Sequence, residues 1–76
     1  MLAAALEHLV KGIVDHPDDV RIQSSTSPRG DVLEVHVHPE DRGRVIGRGG
    51  RTAKALRTLV SALADGRRVR VDVADD

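Results

Sequence analysis

The sequence predicts an α+β domain of two layers, a three-stranded sheet with helices on one face, in the order αββααβ. Three observations predict it. Three segments alternate apolar and polar residues, as half-buried strands do. Two others repeat apolar residues at spacings of three and four, as helices do, and Pro39-Glu40-Asp41 opens a short third helix. The 76 residues leave room for one small domain, spanning 1–76, so these single-faced elements must cover one another.

Residues 2–14 open the chain with Leu2, Leu6, Leu9, Val10 and Ile13 on one helical face. Gly12 weakens that helix and His16-Pro17 stops it, because a residue before proline is pushed out of the helical region. Val20 to Ser24 alternates as the first strand, and Ser25 to Gly30 reads as a turn-rich loop. In Val32 to His38, Leu33, Val35 and Val37 face one way and Glu34, His36 and His38 the other. The short connection makes these two strands an antiparallel hairpin, with strand 32–38 expected at the sheet centre. Pro39 can open a helix, and Glu40 and Asp41 follow where a helix N-terminus favours acids. That short helix, 40–46, is expected to end at Gly47.

The second long helix, 50–64, carries Ala53, Leu56, Leu59, Val60 and Leu63 as its expected buried stripe, and Asp65-Gly66 closes it. Val69 to Val73 is the last strand, and its direction beside strand 32–38 is left open. The sheet face away from the helices is expected to show Arg21, Gln23, Glu34, His36, His38, Arg68, Arg70 and Asp72.

Composition narrows the chemistry. Phe, Tyr and Trp are absent, so the core is aliphatic and aromatic stacking platforms for bases are excluded. A chain this size buries only about 60% of the surface its unfolded form exposes, so a partner could supplement the core. Cysteine is absent too, which removes disulfides, thiolate metal sites and a thiol nucleophile. The N-terminal stretch lacks a basic region before its apolar run, and no span approaches transmembrane length; the expected location is cytoplasmic.

Net charge is zero, but its distribution is uneven. Residues 1–41 carry a net −5, residues 42–70 a net +8, and the tail from Val71 a net −3. A basic block in a neutral chain points to a local anionic ligand.

At the centre of that block stands Arg44-Val45-Ile46-Gly47-Arg48-Gly49-Gly50-Arg51. Glycines let the backbone take angles that a Cβ forbids and let another molecule approach it. The helix that follows delivers free N–H groups and a positive dipole end, and that geometry binds phosphate. Arg48, Arg51 and Lys54 flank the loop as candidate contacts; Arg42 and Arg57 rank behind them. Arg67, Arg68 and Arg70 are expected to pair across the sheet with Glu34 or Asp72. His36 and His38 share a face, but two ligands without a converging carboxylate make a poor metal site, so no metal is expected. His8 and His16 give no better signal.

Nucleotide-binding loops fail on spacing. A Walker loop ending at Gly50-Arg51-Thr52 requires glycine where Val45 stands and lysine where Arg51 stands, and a dinucleotide fingerprint from Gly47 requires glycine at Thr52. No catalytic constellation is suggested, and no cofactor or enzyme activity is expected. Helix 50–64 as a duplex-DNA recognition helix fits poorly with the strands and the glycine loop.

The run Val45-Ile46-Gly47-Arg48-Gly49-Gly50-Arg51, entered from a short helix and followed by a longer one, resembles the VIG-x-x-G core of a KH domain. The element order resembles the prokaryotic type II form. The length and the His16-Pro17-Asp18-Asp19-Val20 turn resemble small bacterial single-KH proteins of the KhpA/YlqC family.

The resemblance implies a non-catalytic binder of single-stranded RNA, acting as a post-transcriptional regulator or RNA chaperone. The loop would clamp the backbone while an apolar groove takes the bases. Carried over, Gly47 and Gly50 are the motif glycines, and Arg48 and Gly49 the variable pair. Val45 and Ile46 line the groove, flanked by Ala53, while Arg44, Arg51 and Lys54 reach phosphate or base edges. Gly49, a third glycine, departs from the pattern and adds flexibility. The resemblance also implies self-association as a homodimer, and pairing with a larger KH-containing partner of the Jag/KhpB type. A protein-pairing subunit is therefore the alternative reading.

Overall fold

The computed structural model describes residues 2–74; Met1 and the tail acids Asp75 and Asp76 lie outside the described residues. The elements are α1 (Leu2–Lys11), β1 (Arg21–Ser27), β2 (Gly30–His36), α2 (Arg42–Ile46), α3 (Arg51–Leu63) and β3 (Val69–Val73). Single 3₁₀ turns at Pro17–Asp19, Pro39–Asp41 and Arg48–Gly50 join them. The predicted αββααβ order and α+β class hold.

Several boundaries move for local reasons. Helix α1 stops at Lys11, because Gly12 turns its N–H back to the carbonyls of His8 (3.3 Å) and Leu9 (3.2 Å) and tightens the last turn. Strand β1 runs on to Ser27, so the expected loop 25–30 shrinks to a turn over Pro28 and Arg29. Ser27 closes that turn: its hydroxyl donates to the Gly30 carbonyl (2.8 Å) and accepts from the Arg29 N–H (3.3 Å). Strand β2 ends at His36, two residues early, and His38 instead accepts the Glu40 N–H through Nδ1 at 3.1 Å.

The sheet order is β1-β2-β3, with β2 central as expected. The β1–β2 pair is antiparallel, from Arg21 opposite His36 to Ser27 opposite Gly30. β3 runs parallel to β2, from Asp31 opposite Val69 to Val35 opposite Val73. A parallel neighbour requires a crossover, and α2 with α3 supplies it. The glycine loop is the middle of that crossover.

The core joins Leu6 and Val10 of α1, Leu33 and Val35 of β2, Val45 of α2, Leu56 and Val60 of α3, and Val71 of β3. On α3 the buried line is Ala53, Leu56, Val60 and, just past the helix, Ala64. Leu59 and Leu63, expected within the stripe, are 48% and 57% exposed. At 100° per residue Leu59 lies about 60° around the helix from Leu56, whereas Leu63, only about 20° from it, is exposed as the last residue of the helix.

The outer sheet face is polar as expected, but its pairing is more local than predicted. Glu34 bonds His36 two residues along its own strand (2.7 Å), and Arg70 bonds Asp72 likewise (3.1 Å). Arg67 turns back to the Ala64 carbonyl (3.5 Å). Neighbours at i and i+2 already share a face, and closing them costs less side-chain freedom than reaching across strands.

Candidate nucleic-acid interface

Helix α2 is short, and Val45, fully buried, seats it in the core. The Gly47 N–H closes it on the Gly43 carbonyl at 2.8 Å. Gly47 then takes φ 77° and ψ 172°, a conformation favouring glycine. A Cβ there would run into the Thr52 side chain and sit 2.8 Å from its backbone nitrogen. Only glycine lets the loop fold so tightly onto the first turn of α3. Gly49 (φ 60°) and Gly50 (φ 76°) are also left-handed, and around them lies open space.

Gly50 caps α3 with no side-chain hydrogen bond at that end, and the first turn of the helix holds no acid. The positive end of a 13-residue helix therefore opens beside the loop with no acid in its own first turn. Arg48, Gly49, Arg51 and Lys54 are exposed around it. Of the two apolar groove candidates, Ile46 is 40% exposed, whereas Val45, like the flanking Ala53, is buried in the core and does not face a ligand.

Arg44 is exposed but already engaged, with Nη2 3.3 Å from the Asp15 carboxylate. Arg57, ranked behind the loop arginines, is better placed than its sequence position suggests. Its Nε donates to the Val71 carbonyl at 3.0 Å, so its guanidinium bridges α3 and the edge strand β3. Lys54 shares that flank of α3.

The residue that sequence reasoning missed is Asp41. Its carboxylate is 1% exposed. Oδ1 accepts the Asp15 N–H at 3.2 Å, while Oδ2 accepts the His16 N–H at 3.0 Å and bonds His16 Nδ1 at 2.9 Å. Burial pushes the Asp41 carboxyl up, but the Asp15 N–H, the imidazole and the His16 N–H outweigh it and leave it below the ordinary value. The Asp41 hydrogen bond raises His16 against the opposing effect of burial, and Asp41, Glu40 and Asp19 add favourable charge. No local signal could have found this pairing, because Asp41 looks like an ordinary helix-start acid and its partners lie 25 and 26 residues upstream.

The histidines also regroup. His38 stacks on His16, centroids 4.0 Å apart and planes at 14°. His16, His38 and Glu40 bring three ligand atoms within 4.8 Å of one another. Imidazole lone pairs lie in the ring plane, and near-parallel stacked rings share no point where one ion meets both. His16 Nδ1 and His38 Nδ1 are also engaged by Asp41 and the Glu40 N–H. The cluster is a hydrogen-bonded stack rather than a metal centre.

A parallel β2–β3 pair crossed by two helices, with a left-handed glycine loop between the helices, defines a type II KH domain. The family model described as KhpA/KhpB, KH domain, matches residues 3–74. The chain belongs to that family. It is 80% identical over 76 residues to the RNA-binding protein KhpA of Leifsonia xyli subsp. xyli, covering 100% of both chains. It is 68% identical over 71 residues to the protein of the same name in Mycobacterium tuberculosis, covering 93% of this chain and 88% of that one. At 50% identity over 72 residues, the RNA-binding protein KhpA of Halalkalibacterium halodurans is also similar, with 92% and 95% covered.

Proposed function

We propose that this chain binds single-stranded RNA without catalysis, the glycine loop holding the phosphate backbone and the groove beside Ile46 receiving bases. The observation that carries this reading is the run of left-handed glycines opening α3 among Arg48, Arg51 and Lys54, with no acid in the first turn. Phosphate is the ligand such a helix start accommodates. The relatives' common name, RNA-binding protein, supports it. Regulation of transcripts or remodelling of RNA structure is the corresponding cellular role, in the cytoplasm.

The test is fluorescence anisotropy of a labelled, mixed-sequence single-stranded RNA. Native protein is compared with the double variant Arg48→Asp/Gly49→Asp. Gly49 has open space around it, and aspartate tolerates left-handed angles better than most residues, so the variant should fold. Circular dichroism checks that it does. Loss of at least about tenfold in affinity is expected, since two phosphate-facing positions become repulsive. Equal binding by both proteins would remove the loop as the site. With about three phosphates neutralised, the log–log salt slope should be near −2.

One observation favours a second role in protein pairing, as a homodimer or with a larger KhpB-type protein. Leu59 and Leu63 are exposed on α3, and beside Leu59 a groove of about 370 Å³ runs between Leu9, Ile13, Ala55 and Leu59. Leu59 and Ala55 also border the concavity that Arg51 and Lys54 line, so pairing there and RNA binding would meet on adjoining surface. Sedimentation of native protein against Leu59→Ser/Leu63→Ser tests it. A concentration-dependent mass that the variant lacks is expected; a monomeric native protein that also fails to bind a KhpB-type partner removes it.

A further inference from the structure

We propose that Asp41 and His16 are positioning residues of the glycine loop, the buried carboxylate tying the connection after α1 to the short helix that delivers Gly47. The inference rests on the RNA-binding reading above.

Among the described residues Asp41 is the buried charged side chain. A carboxylate in that position must be met by donors, and all three come from Asp15 and His16. Its own N–H returns to the His38 carbonyl at 2.8 Å, so the residue is held from both sides. Helix α2 starts at the next residue and ends at Ile46. The lever from Asp41 to Gly47 is therefore only about 9 Å long at 1.5 Å per residue. A small rotation at the carboxylate displaces the glycines that must meet phosphate.

His16 is the adjustable part. Asp41 holds it at Nδ1, and the His38 ring covers one face. The charged groups around it are Asp41 and Glu40 from the turn before α2, and Asp19 from the turn before β1. Asp15 next to it is paired with Arg44, and His38 is the other titratable ring. Neutral His16 can still donate from Nδ1, but a charged imidazolium makes the shorter, stronger bond. Charging His16 should therefore stiffen the attachment of α2, and losing the charge should loosen it.

The experiment uses the full chain and two variants. His16→Asn puts an amide N–H near the position of Nδ1, keeping the donor without the titration. His16→Leu removes the donor. Amide resonances of Gly47, Gly49 and Gly50 are followed by NMR from about pH 5.5 to 8.5, across the range where histidine titrates, with the His16 ring signals as reference. RNA affinity is measured by anisotropy at the two ends of that range. In native protein the glycine amides should move with the His16 midpoint, and in both variants they should not.

Native affinity should fall about fivefold more than that of His16→Asn between low and high pH, the worth of a charge-assisted over a neutral hydrogen bond. His16→Leu should bind about tenfold more weakly than native at low pH, and His16→Asn should restore most of that loss. Glycine amides silent through the His16 titration, or identical pH profiles for native and His16→Asn, would overturn the inference. Retained RNA binding by Arg48→Asp/Gly49→Asp overturns the loop as the RNA site instead, while the NMR coupling stays readable.

Discussion

Arg44 meets the loop already paired with Asp15, at 3.3 Å between two side chains that are each more than half exposed. An exposed ion pair of this kind contributes little to stability, but it competes with phosphate for the same guanidinium. Asp15→Asn should therefore leave the fold intact and strengthen RNA binding by about two- to fivefold, the worth of an exposed pair. Anisotropy against the same RNA checks this, and weaker binding would mean that Asp15 supports the site rather than screening it.

The Asp41–His16 pair makes a stability prediction with a defined sign. His16 is raised above its ordinary 6.5, so its contribution is complete below that pH and is lost as pH rises through the raised value. Asp41 is lowered below its ordinary 3.8, so its contribution is complete above that pH and is lost as pH falls through the lowered value. Both act together between 3.8 and 6.5. Thermal melts should show native protein gaining on His16→Asn inside that window and the gap narrowing at alkaline pH. A gap independent of pH would mean that the imidazole's charge contributes nothing.

At the scale of elements, α3 has three distinct sides. Leu56 points into the core at 4% exposure, Leu59 stands exposed beside α1, and Arg57 reaches β3. Leu56→Ala should cost about 2–5 kcal/mol, as buried leucine truncations do. Leu59→Ser should change monomer stability by no more than about 0.5 kcal/mol, as for an ordinary surface site. Urea unfolding measures both. A large cost at Leu59 in dilute protein would indicate that this flank is covered. The same helix explains one partial misreading from sequence: periodicity located its apolar side but could not set how wide an arc the neighbouring layer reaches. With only the short α1 beside that flank, the arc is narrow, and alanines at 53 and 64 finish it.

Over the whole molecule, the basic block of residues 42–70 becomes the crossover between two parallel strands, which leaves Arg48, Arg51 and Lys54 exposed around the glycine loop and carries Arg67, Arg68 and Arg70 past the far end of α3. The glycine loop, the period-2 strands and the central place of β2 were legible from the residues. Each depends on neighbours within a few positions: left-handed glycines at a helix start, alternation along a strand, a hairpin closed by a short turn. Backbone conformation and apolar periodicity are local properties, and they write themselves into consecutive residues. The parallel course of β3, the exposure of Leu59 and Leu63, the bridge from Arg57 to Val71 and the Asp41–His16 tie were set in space. Those features depend on which distant groups close packing brings within 3 or 4 Å. A hydrogen bond across 25 residues leaves no trace in the spacing of either partner, because its existence is decided by how the layers settle on one another.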